Sequence, residues 1–180
     1  LVVGGGVAGM TAALSLAGQG FKTTIVERES VLGGAAREVH KTWKRTDVQP
    51  FLADLIKKTD ESPYIDVLLD ATITGASGFV GNYFTDVSTK DGSKTIEHGV
   101  AVMATGGKAS GTDEYLCGKD PRVTRWHDLE NNPALLDNAE NVVFIQCVGS
   151  RDESHPYCSG ICCTASVSMA IDIKDRKPES

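Results

Sequence analysis

The opening of the chain switches from one hydrophobic period to another. Residues 1–3 and 21–26 are short apolar runs that are typical of buried strands. Between them, small apolar residues over 8–16 predict a helix, and the glycines at 18–20 predict its end. The order strand, helix, strand predicts a βαβ unit whose two strands lie parallel.

Further along, the pattern continues to alternate between helix and strand. Apolar positions at helical spacing over residues 48–59 predict a second helix. Residues 64–74 are strand-like, and residues 79–102 have the pattern of a hairpin with an Asp-Gly turn. The second arm leads into an apolar strand over 100–107 that ends in small residues. The pattern therefore predicts an α/β protein.

Composition agrees with a folded domain and excludes two classes of partner. Of the 180 residues, 41% are hydrophobic and 23% are charged, which is ordinary for a globular protein. The net charge is −6 with both signs interleaved, so no basic face for nucleic acid is predicted. No apolar run approaches the roughly 18 residues of a membrane span. Because Leu1 already lies in a strand, we expect an internal piece of a longer polypeptide.

The first strand leads into a glycine-rich turn with a defined chemistry. Gly4, Gly6 and Gly9 match G-x-G-x-x-G, in which the glycines allow a tight turn, backbone contact with a pyrophosphate, and close packing of the helix. The free N–H groups of the following helix favour phosphate. Glu27 follows at the distance expected for an acid that accepts ribose hydroxyls. A purely structural glycine turn is the alternative interpretation.

Two further segments extend this candidate site. Gly33 and Gly34 suggest a second close approach of backbone to the same ligand. The strand over 100–107 ends at the carboxyl edge of the sheet, where ligands of open α/β sheets bind. The candidate cofactor-binding residues are Gly4, Gly6, Val7, Ala8, Gly9, Glu27, Arg28, Gly33, Gly34, Ala104, Thr105 and Gly106.

Four of the five cysteines crowd together as Cys147, Cys158, Cys162 and Cys163, whereas Cys117 stands alone and is predicted to be packing or surface. No secretion signal is recognisable, so a reducing cytoplasm is expected, where clustered thiols are more often metal ligands or catalytic than disulfides. Cys158 and Cys162 would share one helix face. The spacing leaves an iron–sulfur cluster, a redox-active thiol pair, and zinc or inert cysteines open.

The chain resembles the FAD domain of two-dinucleotide-binding flavoproteins such as thioredoxin reductase. The resemblance is carried by the G-x-G-x-x-G fingerprint, the second glycine pair and the strand end at Ala104-Thr105-Gly106. The resemblance implies FAD at the fingerprint and a Rossmann-like domain with an inserted β-meander, which the hairpin at 79–102 fits. It also implies the start of a second Rossmann-like βαβ unit, with its first strand at 141–146. No G-x-G-x-x-G follows that strand, so we expect the cysteine loop in place of an NAD(P)H site.

The run QCVGSRDESHPYCSGICC closely resembles the family formed by the A subunits of heterodisulfide reductase, as do AREVHKTW, MATGGKASGTDEY and VTRWHDLE. This resemblance covers essentially the whole chain. It implies a 4Fe-4S cluster on Cys147, Cys158, Cys162 and Cys163, and an FAD-dependent electron-transfer subunit in which the flavin is the proposed branching point for electron bifurcation. It further implies other heterodisulfide reductase-type subunits and an electron-donating hydrogenase or dehydrogenase as partners. No catalytic residue is assigned, because disulfide reduction belongs to other subunits of that family.

The expected organisation is an FAD-binding domain over 1–118 and a linker over 119–140. Residues 141–180 are expected to be the start of a second Rossmann-like domain, which carries the cysteine cluster. Three other functions stay open. One is a stand-alone NAD(P)H-dependent thiol–disulfide oxidoreductase that uses Cys158 with Cys162 or Cys163. Another is the related subunit of a quinone-interacting membrane-bound oxidoreductase. The third is a non-enzymatic assembly module that holds FAD and a cluster as structure.

Overall fold

The computed structural model describes residues 1–178, which divide between two compact units. The first unit comprises residues 1–37 and 48–107, and the second comprises residues 38–47 and the chain from residue 108 onward. No helix in the described range is long and apolar enough to cross a membrane. In chain order the strands and α-helices are β1 (Val2–Val3), α1 (Val7–Gly18), β2 (Thr23–Val26), α2 (Gln49–Asp60), β3 (Ile65–Leu68), β4 (Thr72–Phe79), β5 (Asn82–Thr89), β6 (Gly92–His98), β7 (Val102–Met103), α3 (Trp126–Asn131) and α4 (Cys162–Arg176).

A parallel sheet forms the centre of the first unit, with the strands in the order β3-β2-β1-β7. Strand β1 is flanked on both sides, because Val2 pairs with Ile25 of β2 and with Val102 of β7. Helix α1 connects the two neighbouring parallel strands β1 and β2, as the periodicity indicates. The predicted Rossmann-like α/β fold is confirmed.

One hydrophobic core joins the parallel sheet to helices α1 and α2. Helix α1 is rich in small apolar residues, so it can pack closely on the sheet, and it ends where the N–H of Gln19 bonds to Leu16 O at 3.0 Å. Pro50 lies in the first turn of α2, where its missing N–H costs no helical hydrogen bond. The buried residues of this core are Val2, Met10, Ala13, Ile25, Leu32, Leu52, Leu55 and Ile65.

The hairpin predicted at 79–102 is present as part of a three-stranded antiparallel meander, β4-β5-β6. Gly81 (φ +89°) and Gly92 (φ +121°) occupy the two tight turns, where a left-handed backbone favours glycine. The meander adds a smaller core to the first unit. Its buried members are Leu1, Val26, Ala71, Val87 and Ile96.

The second unit contains α3, α4 and long connecting segments. The prediction of a strand at 141–146 is wrong, because these residues do not form a strand and Val143 is 80% exposed. A strand needs a neighbour for its backbone groups, and within the described residues this run pairs with none. The predicted helix is present but begins at Cys162, so Cys158 lies outside it and the expected shared helix face is also wrong.

Helix α4 is tied to the 38–47 segment by exposed ion pairs within the second unit. The Nη2 atom of Arg45 lies 2.6 Å from a carboxylate oxygen of Asp172 and 2.8 Å from one of Asp175. Lys41 Nζ lies 3.5 Å from Asp172 Oδ1. Because solvent screens such pairs, each contributes little to the stability of the fold.

Candidate functional site

The carboxyl ends of three parallel strands lie side by side in the first unit. Val3 pairs with Val26 and with Met103, so β1, β2 and β7 end at the same level. The N–H of Gly4 donates to Val26 O at 2.9 Å, and the N–H of Ala104 donates to Val3 O at 2.8 Å. The predicted glycine turn, ribose acid and small-residue strand end therefore meet at one edge of the sheet.

Two glycines of the fingerprint occupy positions that exclude any side chain. Gly4 has φ +108°, and a Cβ there would lie 2.2 Å from Ala104 O. A Cβ on Gly9 would lie 1.8 Å from Gly4 O. These contacts give the glycines the roles that the motif predicts, namely a tight turn and close approach of α1 to the strand.

Gly6 is the N-cap of α1 and leaves open space at the start of the helix. An added Cβ on Gly6 would meet only Gly34 Cα, at 3.9 Å. The first turn of α1 contains no acidic residue. N–H groups in a first turn have no partner within their own helix, and those of Val7, Ala8 and Gly9 fall in this class. Such a helix start favours a phosphate group.

The second glycine pair lies directly against the first glycine loop. The N–H of Gly33 donates to Gly5 O at 2.8 Å, and Gly6 and Gly33 form an isolated parallel bridge. Gly34 has φ +52°, and a Cβ on it would lie 3.2 Å from Gly6 Cα. Two stretches of bare backbone thus face one another, which is an arrangement suited to an anionic diphosphate.

Glu27 is only 7% exposed, and its two carboxylate oxygens are oriented by different backbone donors. Oε2 accepts from the N–H of Gly5 at 2.6 Å, and Oε1 accepts from the N–H of Glu29 at 2.9 Å. Each oxygen retains a further lone pair, which is what acceptance from two ribose hydroxyls requires. Glu27 is the candidate acid whose position the motif predicts.

Gly5 is a site residue that the motif does not identify. A Cβ on Gly5 would lie 2.5 Å from Leu32 Cδ2 and 3.1 Å from Glu27 Oε2. Its N–H also holds the carboxylate of Glu27. The signal in the sequence is the run of three glycines, since G-x-G-x-x-G leaves the residue between the first two free.

The remaining predicted residues of this site lie on its exposed side. Ala104 is half-buried, while Thr105 and Gly106 are exposed and Gly106 has φ +65°. Arg28 is exposed as well, with Nε 3.3 Å from Glu29 Oε1. No described contact gives these four residues a specific role toward a ligand.

The cysteines are free thiols, and the four clustered ones are all exposed. The N–H of Gly160 donates to Cys158 Sγ at 3.3 Å, and Ser159 Oγ lies 3.1 Å from Cys162 Sγ. Thiols are the donors that iron–sulfur clusters use, so the donor set fits such a group in its chemistry. Within residues 1–178, however, no three His, Cys, Asp or Glu side chains are gathered where they could hold a metal ion.

The segment between Cys147 and Cys158 is held by hydrogen bonds to its own backbone. Asp152 Oδ1 accepts from the N–H of Ser154 at 2.8 Å, from its hydroxyl at 2.7 Å, and from the N–H of His155 at 2.7 Å. These hydrogen bonds lower the pKa of Asp152 below its ordinary value. The largest cause is the bond from the Ser154 hydroxyl, and the second largest is the bond from the His155 N–H.

Comparison with known proteins adds a family resemblance to this geometry. Residues 2–71 match the family model of NAD(P)-binding Rossmann-like domains. The chain is 26% identical to the A subunit of the ferredoxin:CoB-CoM heterodisulfide reductase of Methanosarcina mazei, over 99% of this chain and 35% of the relative. It is 25% identical to one of two iron-sulfur A subunits of the CoB–CoM heterodisulfide reductase of Methanopyrus kandleri, over 100% of this chain and 42% of the relative. The predicted resemblance is confirmed.

The chain spans less than half the length of these heterodisulfide reductase relatives. The second alignment extends over 280 positions although the chain has 180 residues, so this relative also contains segments without a counterpart here. Among solved structures, the L-proline dehydrogenase of P. horikoshii matches with a TM-score of 0.51 and 25% identity, over 58% of this chain and 22% of that chain. This match supports the fold of the dinucleotide-binding part.

Proposed function

We propose that the chain is part of an FAD-dependent oxidoreductase subunit of the heterodisulfide reductase type. The observation that carries the proposal is made at the carboxyl edge of the parallel sheet. There the backbone of Gly6 and Gly34, which have no side chains, lies near the buried carboxylate of Glu27, and each oxygen of that carboxylate accepts a backbone hydrogen bond. The resemblance to the A subunits of heterodisulfide reductase over the chain supports an electron-transfer role. The subunit passes electrons between flavin, iron–sulfur clusters and partner subunits, with the flavin as the branching point.

In this proposal the first unit binds and orients the dinucleotide. The N–H groups at the start of α1, from Val7 to Gly9, hold the pyrophosphate, and Gly33 and Gly34 lie on its other side. Glu27 accepts from the adenosine ribose, and its negative charge disfavours a ribose that carries a 2′-phosphate. FAD, when bound, supplies the capacity to exchange one or two electrons. Arg28, Ala104, Thr105 and Gly106 line the exposed side of the site.

The cysteines of the second unit are proposed to hold a 4Fe-4S cluster. Cys147, Cys158, Cys162 and Cys163 are free and exposed, and a relative is named an iron-sulfur subunit. Since the described residues do not gather these thiols, we assign no electron-transfer step through the cluster. The proposed partners are other heterodisulfide reductase-type subunits and an electron-donating hydrogenase or dehydrogenase. The proposed compartment is the reducing cytoplasm, which keeps free thiols reduced.

One observation favours a second function, thiol–disulfide exchange. The thiol of Cys158 accepts a backbone N–H, and the thiol of Cys162 lies beside a serine hydroxyl at the start of α4. Both side chains are exposed, so a disulfide substrate can reach them. In this alternative Cys158 and Cys162 exchange with a disulfide substrate, and no metal is bound.

The two functions are separated by the spectrum and metal content of the full-length protein, purified without oxygen. The main proposal predicts flavin bands together with broad iron–sulfur absorbance, and loss of iron and sulfide in single alanine variants of the four clustered cysteines. Cys117→Ala is the matched control and is expected to retain both. Flavin without iron, with all five variants unchanged, would favour thiol exchange. Loss of iron in Cys117→Ala alone would show that the wrong thiols were chosen.

A further inference from the structure

The side chain of Arg37 folds back over the second glycine pair of the first unit. Its guanidinium Nη1 donates to Leu32 O at 3.2 Å. A Cβ on Gly33 would lie 2.9 Å from Arg37 Cγ and 3.3 Å from its Cδ, so the aliphatic stem of the arginine occupies the place of a side chain at Gly33. Of the two glycines, Gly33 therefore makes room for Arg37, and Gly34 is the one that faces Gly6.

These contacts hold the guanidinium in place and leave most of its donors unused. The bond to Leu32 O takes one of the five N–H groups of the guanidinium. Gln49 Nε2 donates to Ala36 O at 3.1 Å and so holds the backbone next to Arg37. Arg37 is exposed, and none of the carboxylates in residues 1–178 forms an ion pair with it. The guanidinium is thus a full positive charge that solvent and a ligand can reach.

We propose that Arg37 binds the diphosphate of the dinucleotide and supplies the full positive charge that the two glycine loops lack. This inference rests on the proposed function, since it assigns a further contact to the same ligand. The backbone of Gly6 and Gly34 offers only the partial charges of N–H groups to two phosphates. A guanidinium adds a whole charge and a planar set of donors that match phosphate oxygens. Arg28 is exposed too, but it is paired with Glu29.

A purely structural role, in which Arg37 only braces the loop at Leu32, has different consequences. Leu32 Cδ2 would lie 2.5 Å from a Cβ on Gly5, and the N–H of Gly5 holds Glu27 Oε2 at 2.6 Å. A loop loosened at Leu32 would therefore disturb the ribose acid as well as the diphosphate site. Loss of the charge alone would weaken only those ligands that carry phosphate. ADP and adenosine separate the two roles, because both contain the ribose and only ADP contains the diphosphate.

The test measures the affinity of the flavin-free, full-length protein for ADP and for adenosine, by calorimetric titration at several NaCl concentrations. Arg37→Met retains an aliphatic stem over Gly33 and loses the charge. It is expected to bind ADP about tenfold more weakly than wild type, which is the effect of one charge-assisted hydrogen bond, and to bind adenosine with wild-type affinity. Its ADP affinity should also fall less steeply with salt, because the charge pair that salt screens is gone.

Two further variants complete the experiment. Arg37→Lys retains a positive charge and should retain the wild-type salt dependence, with ADP affinity between those of wild type and Arg37→Met. Lys22→Met is the matched control for the loss of one positive charge. Lys22 is exposed and directly precedes β2, at the amino edge of the sheet, whereas the site lies at the carboxyl edge. It should bind ADP and adenosine as wild type does.

Circular dichroism shows whether each variant is folded. Wild-type ADP affinity in Arg37→Met would overturn the inference and leave the proposed dinucleotide site intact. Equal losses for ADP and adenosine would also overturn it, since Arg37 would then only brace the loop. If Arg37→Met does not fold, Arg37→Lys decides, and a loss of salt dependence in that variant would count against the inference. A wild-type protein that binds neither FAD nor ADP would refute the proposed function itself, and the inference with it.

Discussion

At the scale of single residues, the candidate flavin site depends on a carboxylate that the protein orients before any ligand binds. Burying an ionised carboxylate is costly unless hydrogen bonds compensate it. For Glu27 the compensation comes from the N–H groups of Gly5 and Glu29, one at each oxygen. The spacing from the fingerprint predicts the acid. The hydrogen bond between Glu27 and the N–H of Gly5 could not be predicted in this way. It depends on how the glycine turn folds over the end of β2, and sequence spacing does not describe that fold.

This geometry predicts the effect of replacing Glu27 with glutamine. In Glu27→Gln the amide nitrogen, a donor, must face either the Gly5 N–H or the Glu29 N–H, and the charge that strengthens the ribose bonds is lost. A hydrogen bond to a charged group contributes about 1.5–3 kcal/mol, so FAD affinity should fall by about tenfold or more. Titration of the flavin-free protein with FAD, followed by flavin fluorescence, measures the change.

Glu29→Gln is the matched control for this experiment. Its carboxylate is exposed and pairs with the exposed Arg28, and such a pair contributes little. FAD affinity should stay at the wild-type value in Glu29→Gln. Equal affinities in wild type and Glu27→Gln, with both proteins folded, would remove Glu27 from the site.

At the scale of elements, the sequence predicts those parts that have a local signal. Helices α1 and α2 follow from apolar spacing, and the β5–β6 hairpin follows from its Asp-Gly turn. The run 64–74 is predicted as one strand but contains β3 and the start of β4, separated by Asp70 at φ +49°. That break has no Gly or Pro to mark it. The run 141–146 has strand composition and no strand, because pairing depends on a neighbour and not on the run itself.

The packing of α1 on β1 predicts opposite effects for two glycines of the same helix. A Cβ on Gly9 would lie 1.8 Å from Gly4 O, so Gly9→Ala must push the helix away from the glycine turn. Overpacking of this kind costs typically about 1–3 kcal/mol of stability. Gly18 is the last residue of α1, and a Cβ there would meet nothing within 4 Å. Gly18→Ala should therefore be neutral or stabilise by up to about 1 kcal/mol, since alanine restricts the unfolded chain.

Urea unfolding of the flavin-free protein, followed by circular dichroism, measures both variants. The Gly9→Ala midpoint should fall and the Gly18→Ala midpoint should stay or rise. A wild-type midpoint in Gly9→Ala would mean that α1 does not pack on the turn as described. If both substitutions lowered the urea midpoint equally, the lost stability would reflect a general effect on the helix and not the contact between Gly9 and Gly4.

At the scale of the whole molecule, the sequence predicts the chemistry of the second unit better than its geometry. The cysteine spacing predicts a shared task for four thiols. All four are exposed, two of them before α4 and two in its first turn. The structure does not gather them among the described residues, because the segment before the helix has no strand to fix it. The first unit differs in this respect. Its site is built on strand ends, whose positions follow from the sheet, so the motif and the geometry agree there.

The contrast between the units leads to a prediction about nicotinamide cofactors. After residues 141–146 the second unit has no G-x-G-x-x-G, and it presents the exposed charges of Arg151, Asp152 and Glu153 on a closed turn. The two carboxylates outweigh the one guanidinium, so the net negative charge of this turn disfavours a pyrophosphate, and the turn offers no helix start for it. NADH and NADPH should therefore fail to reduce the flavin rapidly in the full-length protein when the proposed partner subunits are absent.

Stopped-flow absorbance measures this reduction, and complete bleaching by dithionite is the control for a competent flavin. Stoichiometric bleaching by either nucleotide would contradict the prediction. Because residues 2–71 match a model of NAD(P)-binding domains, a second measurement is needed: excess NADH should not displace FAD from the first unit. Release of flavin by NADH would assign the Glu27 site to a nicotinamide dinucleotide instead.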